Sequence, residues 1–128
     1  MKLIAHRGNT SGPNTEENAP LYVEEALGKG FDVEIDIWRI GNEFFLGHNI
    51  PQYRVSLSWL EGRVDKLWIH CKNFEAMSFF ATSDIFNAFM HDDDQYALTT
   101  KGYLWTYPEV YAHGVVVGWC SDYIRELK

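Results

Sequence analysis

The 128 residues carry 46% apolar and 16% aromatic side chains and a net charge of −7, which suits one domain with a real core and is too short for two. That charge argues against general nucleic-acid or anionic-membrane binding, both of which need basic patches, and no apolar run approaches a membrane span. The opening apolar run is too short for a secretory signal, so a cytoplasmic location is the default, with Cys71 and Cys120 as reduced thiols.

Residues 2–6 read as a short buried strand that delivers His6 and Arg7 at its C-terminal end. Residues 8–15 are loop by composition. Asn14 or Thr15 caps a following helix, with Glu16 and Glu17 in its first turn. Leu21, Val23, Ala26 and Leu27 give that helix an apolar stripe, and Gly28-Lys29-Gly30 stops it. Residues 31–38 form an acidic strand. Val33, Ile35 and Ile37 fall on one side and Glu34 and Asp36 on the other, because side chains alternate along a strand. Two carboxylates held together repel, and burying them unpaired is costly. One remedy is a hard divalent cation, which prefers carboxylate oxygens; the other is an edge strand whose acidic face meets water. Strand, loop, helix, glycine stop and strand make a βαβ unit, which implies parallel strands.

Residues 38–47 predict a hairpin that turns at 40–43 and returns through Phe44, Phe45 and Leu46 to His48 and Asn49. Residues 51–63 read as loop plus a short helical piece with Leu57, Trp59 and Leu60 on its apolar side. Residues 66–72 predict a third strand, with Leu67, Ile69 and Cys71 facing one way and Trp68, His70 and Lys72 the other. Residues 74–82 read as helix and 85–91 as a fourth strand. The run His91-Asp92-Asp93-Asp94 then reads as a solvated turn. Two short β-prone pieces surround Lys101-Gly102. A helical turn at 109–113 precedes a last apolar strand at 115–120, which ends at Ser121 and Asp122.

Strand ends thus carry His6 and Arg7, Glu34 and Asp36, His70 and Lys72, with His48 beyond the hairpin and His91 and Asp122 on the same rim. In parallel α/β proteins the C-terminal strand ends share the face that binds ligands. Carboxylates there hold a metal, paired histidines serve as acid and base, and Arg or Lys neutralises phosphate oxygens.

Ile4-Ala5-His6-Arg7-Gly8, Glu17-Asn18, Val33-Glu34-Ile35-Asp36 and His48 together resemble the glycerophosphodiester phosphodiesterase family, which belongs to the phospholipase C-like phosphodiesterases on TIM-type barrels. The resemblance is specific over residues 3–49. Beyond them, Leu104-Trp105-Thr106 is similar to the family's late Trp-Thr strand, and residues 114–123 to its closing run. The resemblance implies a single phospholipase C-like phosphodiesterase domain over residues 1–128. His6 and His48 would be the general acid and base, Arg7 would bind phosphate, and Glu34 and Asp36 would be metal ligands. Glu17 would support the phosphate-binding end. Trp105 would be core or an aromatic floor under a glycerol or sugar group. Lys72 calls for a phosphate or carboxylate partner. Three positions depart from the family pattern: Ala19 follows Asn18 where Thr is usual, Asn49 follows His48 where Asp is usual, and His70 stands where the third strand carries Glu. His70 is therefore a third metal ligand or a core imidazole bonded to Glu34 or Asp36. A Glu/Asp/His set suits Mg²⁺, Mn²⁺ or Zn²⁺, and Ca²⁺ less well; Mg²⁺ is the first expectation.

A complete barrel of this type runs to about 250 residues. The expected fold is therefore a contracted or incomplete TIM-type (β/α) barrel with roughly six parallel strands, few short helices and a β-hairpin after the second strand. A homodimer would cover its open side. The expected function is metal-dependent cleavage of a small glycerophosphodiester-like or sugar-phosphate diester, by water or by a neighbouring substrate hydroxyl. The alternatives are an inactive relative that binds a phospho-ligand or a protein, and an assembly subunit completed by a partner.

Overall fold

Alternation along the strands decides the layers. The computed structural model describes residues 2–107 and 117–127. Its strands are β1 (Lys2–His6), β2 (Asp32–Ile40), β3 (Glu43–Leu46), β4 (Tyr53–Val55), β5 (Leu67–Cys71), β6 (Ala88–Phe89), β7 (Tyr96–Leu98), β8 (Leu104–Thr106) and β9 (Val117–Ser121). The helices are α1 (Pro20–Gly28), α2 (Leu57–Glu61) and α3 (Phe74–Ala81), with a 3₁₀ turn at Ile124–Leu127. Strands β6, β5, β2, β1, β9 and β8 lie side by side and pair in parallel. On one face Ala5, Val33, Ile35, Ile37, Leu67, Ile69, Cys71 and Ala88 join the main core, together with Val23 and Ala26 of α1 and Ala76 and Phe80 of α3. On the other, Ile4, Trp68, Phe89, Trp105 and Cys120 form a second, smaller core. Glu34 and Asp36 share this second face and are buried, at 1% and 0% exposure. An acidic edge in water is thereby ruled out.

The sheet curls tightly around the second core. A Cβ at Gly118 in β9 would lie 2.6 Å from Trp68 Cη2 and 2.6 Å from Ile4 Cδ1. The indole of Trp68 thus crosses beneath β2 and β1 to reach β9, and only glycine leaves it room. Its Nε1 donates to Asp32 Oδ2 at 2.9 Å, which satisfies a buried donor.

The expected barrel does not form. Among the described residues nine strands make one mixed sheet that stays open, because β6 and β7 do not pair. Strand and helix stop alternating after α3: β6, β7 and β8 follow with no helix between them. The reason is chain length. A parallel crossover with its helix takes a dozen or more residues, and residues 88–106 hold three strands. β7 and β8 are instead joined tightly and run antiparallel. Thr100 bridges the gap beside β6: its N–H donates to Ala88 O at 2.8 Å, and its Oγ1 accepts from Ala88 N at 3.0 Å.

Local readings also need correction. α1 starts at Pro20 with Ala19 as N-cap, not at Asn14 or Thr15; Asn18 takes φ 68°, which no helix allows. The fourth strand shrinks from residues 85–91 to Ala88–Phe89. Tyr53–Val55, expected as loop, is β4, paired antiparallel with β3. The expected turn at 109–113 lies outside the described residues, as does the start of the last strand, residues 115 and 116.

Candidate functional site

β2 changes partner along one edge, and the site grows from that change. β1 pairs with β2 as far as His6 opposite Glu34. β3 takes over the edge at Ile37. Asp36 sits in the notch between them. The Asn18 side chain fills it as a missing strand would: Asn18 Oδ1 accepts from Asp36 N at 2.9 Å, and Asn18 Nδ2 donates to Asp36 Oδ2 at 2.9 Å. Arg7, just past the end of β1, turns through φ 58°. Two backbone bonds hold that strained turn: Arg7 N donates to Glu34 O at 2.9 Å, and Asn18 N to Arg7 O at 3.0 Å.

The register of β2 against β5 sets Asp36 beside His70. His70 Nδ1 lies 3.0 Å from Asp36 Oδ1 and 3.5 Å from Glu34 Oε2. Burial disfavours the imidazolium, but hydrogen bonds to Asp36 and Glu34 outweigh it and push His70 up to about 9. Burial works against the Asp36 carboxylate as well. The hydrogen bonds of His48 and His70, then the charges of His70 and Arg7, win and hold it well below the usual range. Ligand atoms of Glu34, Asp36 and His70 all lie within 4.8 Å of one another. Glu34 Oε1 is buried and accepts no hydrogen bond from any described residue. An orphaned carboxylate oxygen in a Glu/Asp/His set of this size fits a hard or borderline divalent cation. Without one, His70 takes the other role expected of it, as a core imidazole bonded to Asp36.

A second arm carries His6. Its Nδ1 donates to Asp122 Oδ1 at 2.8 Å, which leaves Nε2 free of that bond. Tyr107 Oη donates to Asp122 Oδ2 at 2.8 Å, and the Tyr107 ring lies 4.1 Å from the imidazole, centroid to centroid. Burial opposes the His6 imidazolium; Glu34 and then the Asp122 hydrogen bond outweigh it and raise His6. The bond to His6 in turn overcomes the burial of Asp122 and lowers it to about 2. Asn9, fully buried, ties this arm to the next. Its Nδ2 donates to Asp122 Oδ1 at 2.8 Å and to Glu17 Oε2 at 2.7 Å. Glu17 Oε1 accepts from Arg7 Nη1 at 3.1 Å. Arg7 Nη2 reaches His48 Nδ1 at 2.8 Å, and Arg7 Nε lies 3.2 Å from Asp36 Oδ2.

These arms meet in a cavity of about 600 Å³, lined by His6, Arg7, Glu17, Glu34, His48, His70, Lys72 and Trp105 among others. Asp36 lies behind that wall, bonded to Asn18 and His70. Lys72 lines the cavity with no ion pair to any described residue. Trp105 is 1% exposed; Phe89 packs at 4.8 Å and His91 at 4.7 Å from its ring. It therefore offers little open floor. His91, expected as solvated turn, lies inside the cavity wall. Asn9 and Tyr107 carried no sequence signal beyond loop composition and aromatic character. Asn18 was visible only as part of a motif, and Asp122 only as a polar residue at a strand end within the closing run.

No family model matches the chain, and neither a curated protein nor a solved structure does. The family resemblance therefore stands on the motif residues alone.

Proposed function

We propose that the cavity binds and cleaves a small phosphodiester with the help of a divalent cation. The observation that carries this reading is the orphaned Glu34 Oε1, buried beside Asp36 and His70 in a cavity that also holds His6, His48, Arg7 and Lys72. Glu34, Asp36 and His70 would hold the cation, which when bound polarises a phosphoryl oxygen. Mg²⁺ is the first choice, with Mn²⁺ and Zn²⁺ next and Ca²⁺ last. Arg7 and Lys72 bind the remaining negative charge on phosphorus. Arg7 is oriented for this by Glu17. His6, held by Asp122 through Nδ1, presents Nε2 for proton transfer. His48 flanks Arg7 and supplies the other imidazole. One imidazole takes the proton of the attacking oxygen as the new P–O bond forms. The other gives a proton to the departing oxygen as the old bond breaks. A water nucleophile leaves a phosphomonoester; a neighbouring substrate hydroxyl leaves a cyclic phosphate.

The test is turnover of bis(p-nitrophenyl) phosphate and glycerophosphocholine with Mg²⁺, Mn²⁺, Zn²⁺, Ca²⁺ or EDTA, and with His6→Ala as control. Metal-dependent turnover lost in the variant supports the reading, and ³¹P spectra of the product identify the nucleophile. A folded protein that turns over neither compound with any metal, yet binds inorganic phosphate, is a phospho-ligand binding module instead. His70 and Asn49, which depart from the family pattern, favour that second reading.

A further inference from the structure

One wall of the cavity has no part in the chemistry just described. The His91 ring is clamped between His70 at 4.4 Å, 9° from parallel, and Trp105 at 4.7 Å. Its Nδ1 lies 3.1 Å from the backbone oxygen of Asp92, so Nδ1 carries the hydrogen. In the neutral ring Nε2 is then left as an acceptor. Asp92, Asp93 and Asp94 continue the same wall. All three are exposed, and none forms an ion pair with a described residue. The cations of the cavity, Arg7 and Lys72, come from other elements. The Asp92, Asp93 and Asp94 side chains and His91 Nε2 thus present acceptors and negative charge to the cavity. The unpartnered Glu34 Oε1 in the same cavity points independently to a ligand there.

We infer that the wall from His91 to Asp94 selects the part of the ligand beyond its phosphate: it accepts a hydroxyl donor at His91 and rejects a second anionic group. This rests on the reading that the cavity binds phosphate. The physical basis is simple. Acceptor side chains pair with hydroxyl hydrogens, and like charges a few ångströms apart repel. Both terms are weaker when the ligand is phosphate alone, because no further group then extends from the phosphate to this wall. Selection of this kind distinguishes a neutral polyol ester from one phosphorylated at both ends.

The experiment is calorimetric titration at fixed free Mg²⁺ and low ionic strength, with inorganic phosphate, glycerol 1-phosphate and glycerol 1,3-bisphosphate as probes. The wild type should bind the monophosphate roughly fivefold or more tightly than the bisphosphate, with the gap shrinking as salt screens the carboxylates. The D92N/D93N/D94N variant should close that gap and change the affinity for inorganic phosphate less than that for the bisphosphate. His91→Phe, which keeps the ring stack, should weaken the monophosphate several-fold and spare inorganic phosphate. Equal or tighter binding of the bisphosphate by the wild type overturns the inference, as does an unchanged preference in the triple variant. That variant alters only exposed side chains, so the test survives if His91→Phe does not fold. Failure of inorganic phosphate to bind at all removes the phosphate reading of the cavity, and the inference with it. Phosphate binding without discrimination removes the inference alone.

Discussion

Asp36 owes its ionised form to the company it keeps. It is fully buried, yet Asn18, Arg7, His48 and His70 all approach its oxygens. Asn18 differs from the rest because it also satisfies the Asp36 N–H. Asn18→Ala should cost about 2 kcal/mol, the penalty for leaving buried polar groups without partners, read as a lower urea midpoint. Asp122 has a different task. It fixes which nitrogen of His6 carries the proton, and Asp122→Asn, which can offer its amide N–H in place of a carboxylate oxygen, undoes that assignment. If His6 is a proton-transfer group, turnover should fall roughly a hundredfold with little change in KM. Cys71 makes a contrast. Burial alone pushes its thiol up to about 12, so Ellman's reagent should modify it only after denaturant is added, although it stands one residue from His70.

Among the elements, β2 carries the most structure. Its first half is clasped by β1 and β5, its second by β3, and the carboxylates sit where the partners change. Extended pairing on both edges would have left no notch for Asn18 and no access to Asp36. β9 is constrained differently, by the Trp68 indole against Gly118. Gly118→Ala should destabilise the fold by about 1–3 kcal/mol through overpacking. Trp68→Phe in the same chain should return part of that loss, since the smaller ring clears the new methyl. A double-mutant cycle by thermal unfolding measures the coupling. If the two substitutions are simply additive, the contact does not shape the sheet.

The molecule as a whole should lose stability at both ends of the pH scale. Asp122 is lowered from 3.8 to about 2. Its contribution is present above pH 3.8 and is lost as pH falls towards 2. Cys71 is raised from 9.0 to about 12. Its contribution is present below pH 9 and is lost as pH rises towards 12. Urea midpoints across pH should show both limbs, with Asp122→Asn flattening the first and Cys71→Ala the second. The cation of the proposed function, if it binds, adds a third term. At one hundred times its dissociation constant it should stabilise the fold by about 2.7 kcal/mol, visible as a rise in Tm that EDTA reverses and Glu34→Gln abolishes. No helix among the described residues is long and apolar enough to cross a membrane.

The amino-acid sequence by itself determined which side chains share a face. Alternation along a strand is local geometry, so Glu34 and Asp36 had to oppose Val33, Ile35 and Ile37, and His70 had to oppose Ile69 and Cys71, whatever the sheet did around them. The glycine stop after α1 and the hairpin at Gly41-Asn42 are legible for the same reason. Only the tertiary structure decided how strands far apart in sequence align. The β2–β5 register brings His70 to Asp36, and no periodicity within either strand encodes it. Asn9 looks like any loop asparagine, and Asn18 like one position of a motif with no stated task, until Asp36 lacks a strand neighbour on one edge and Asp122 comes back to His6. His91 looks like the start of an acidic turn until His70 and Trp105 close on its two faces. The barrel failed on the same ground. Six apolar runs predict strands, but whether the sheet closes depends on the chain left between them, and the stretch from β6 to β8 is too short for another helical crossover.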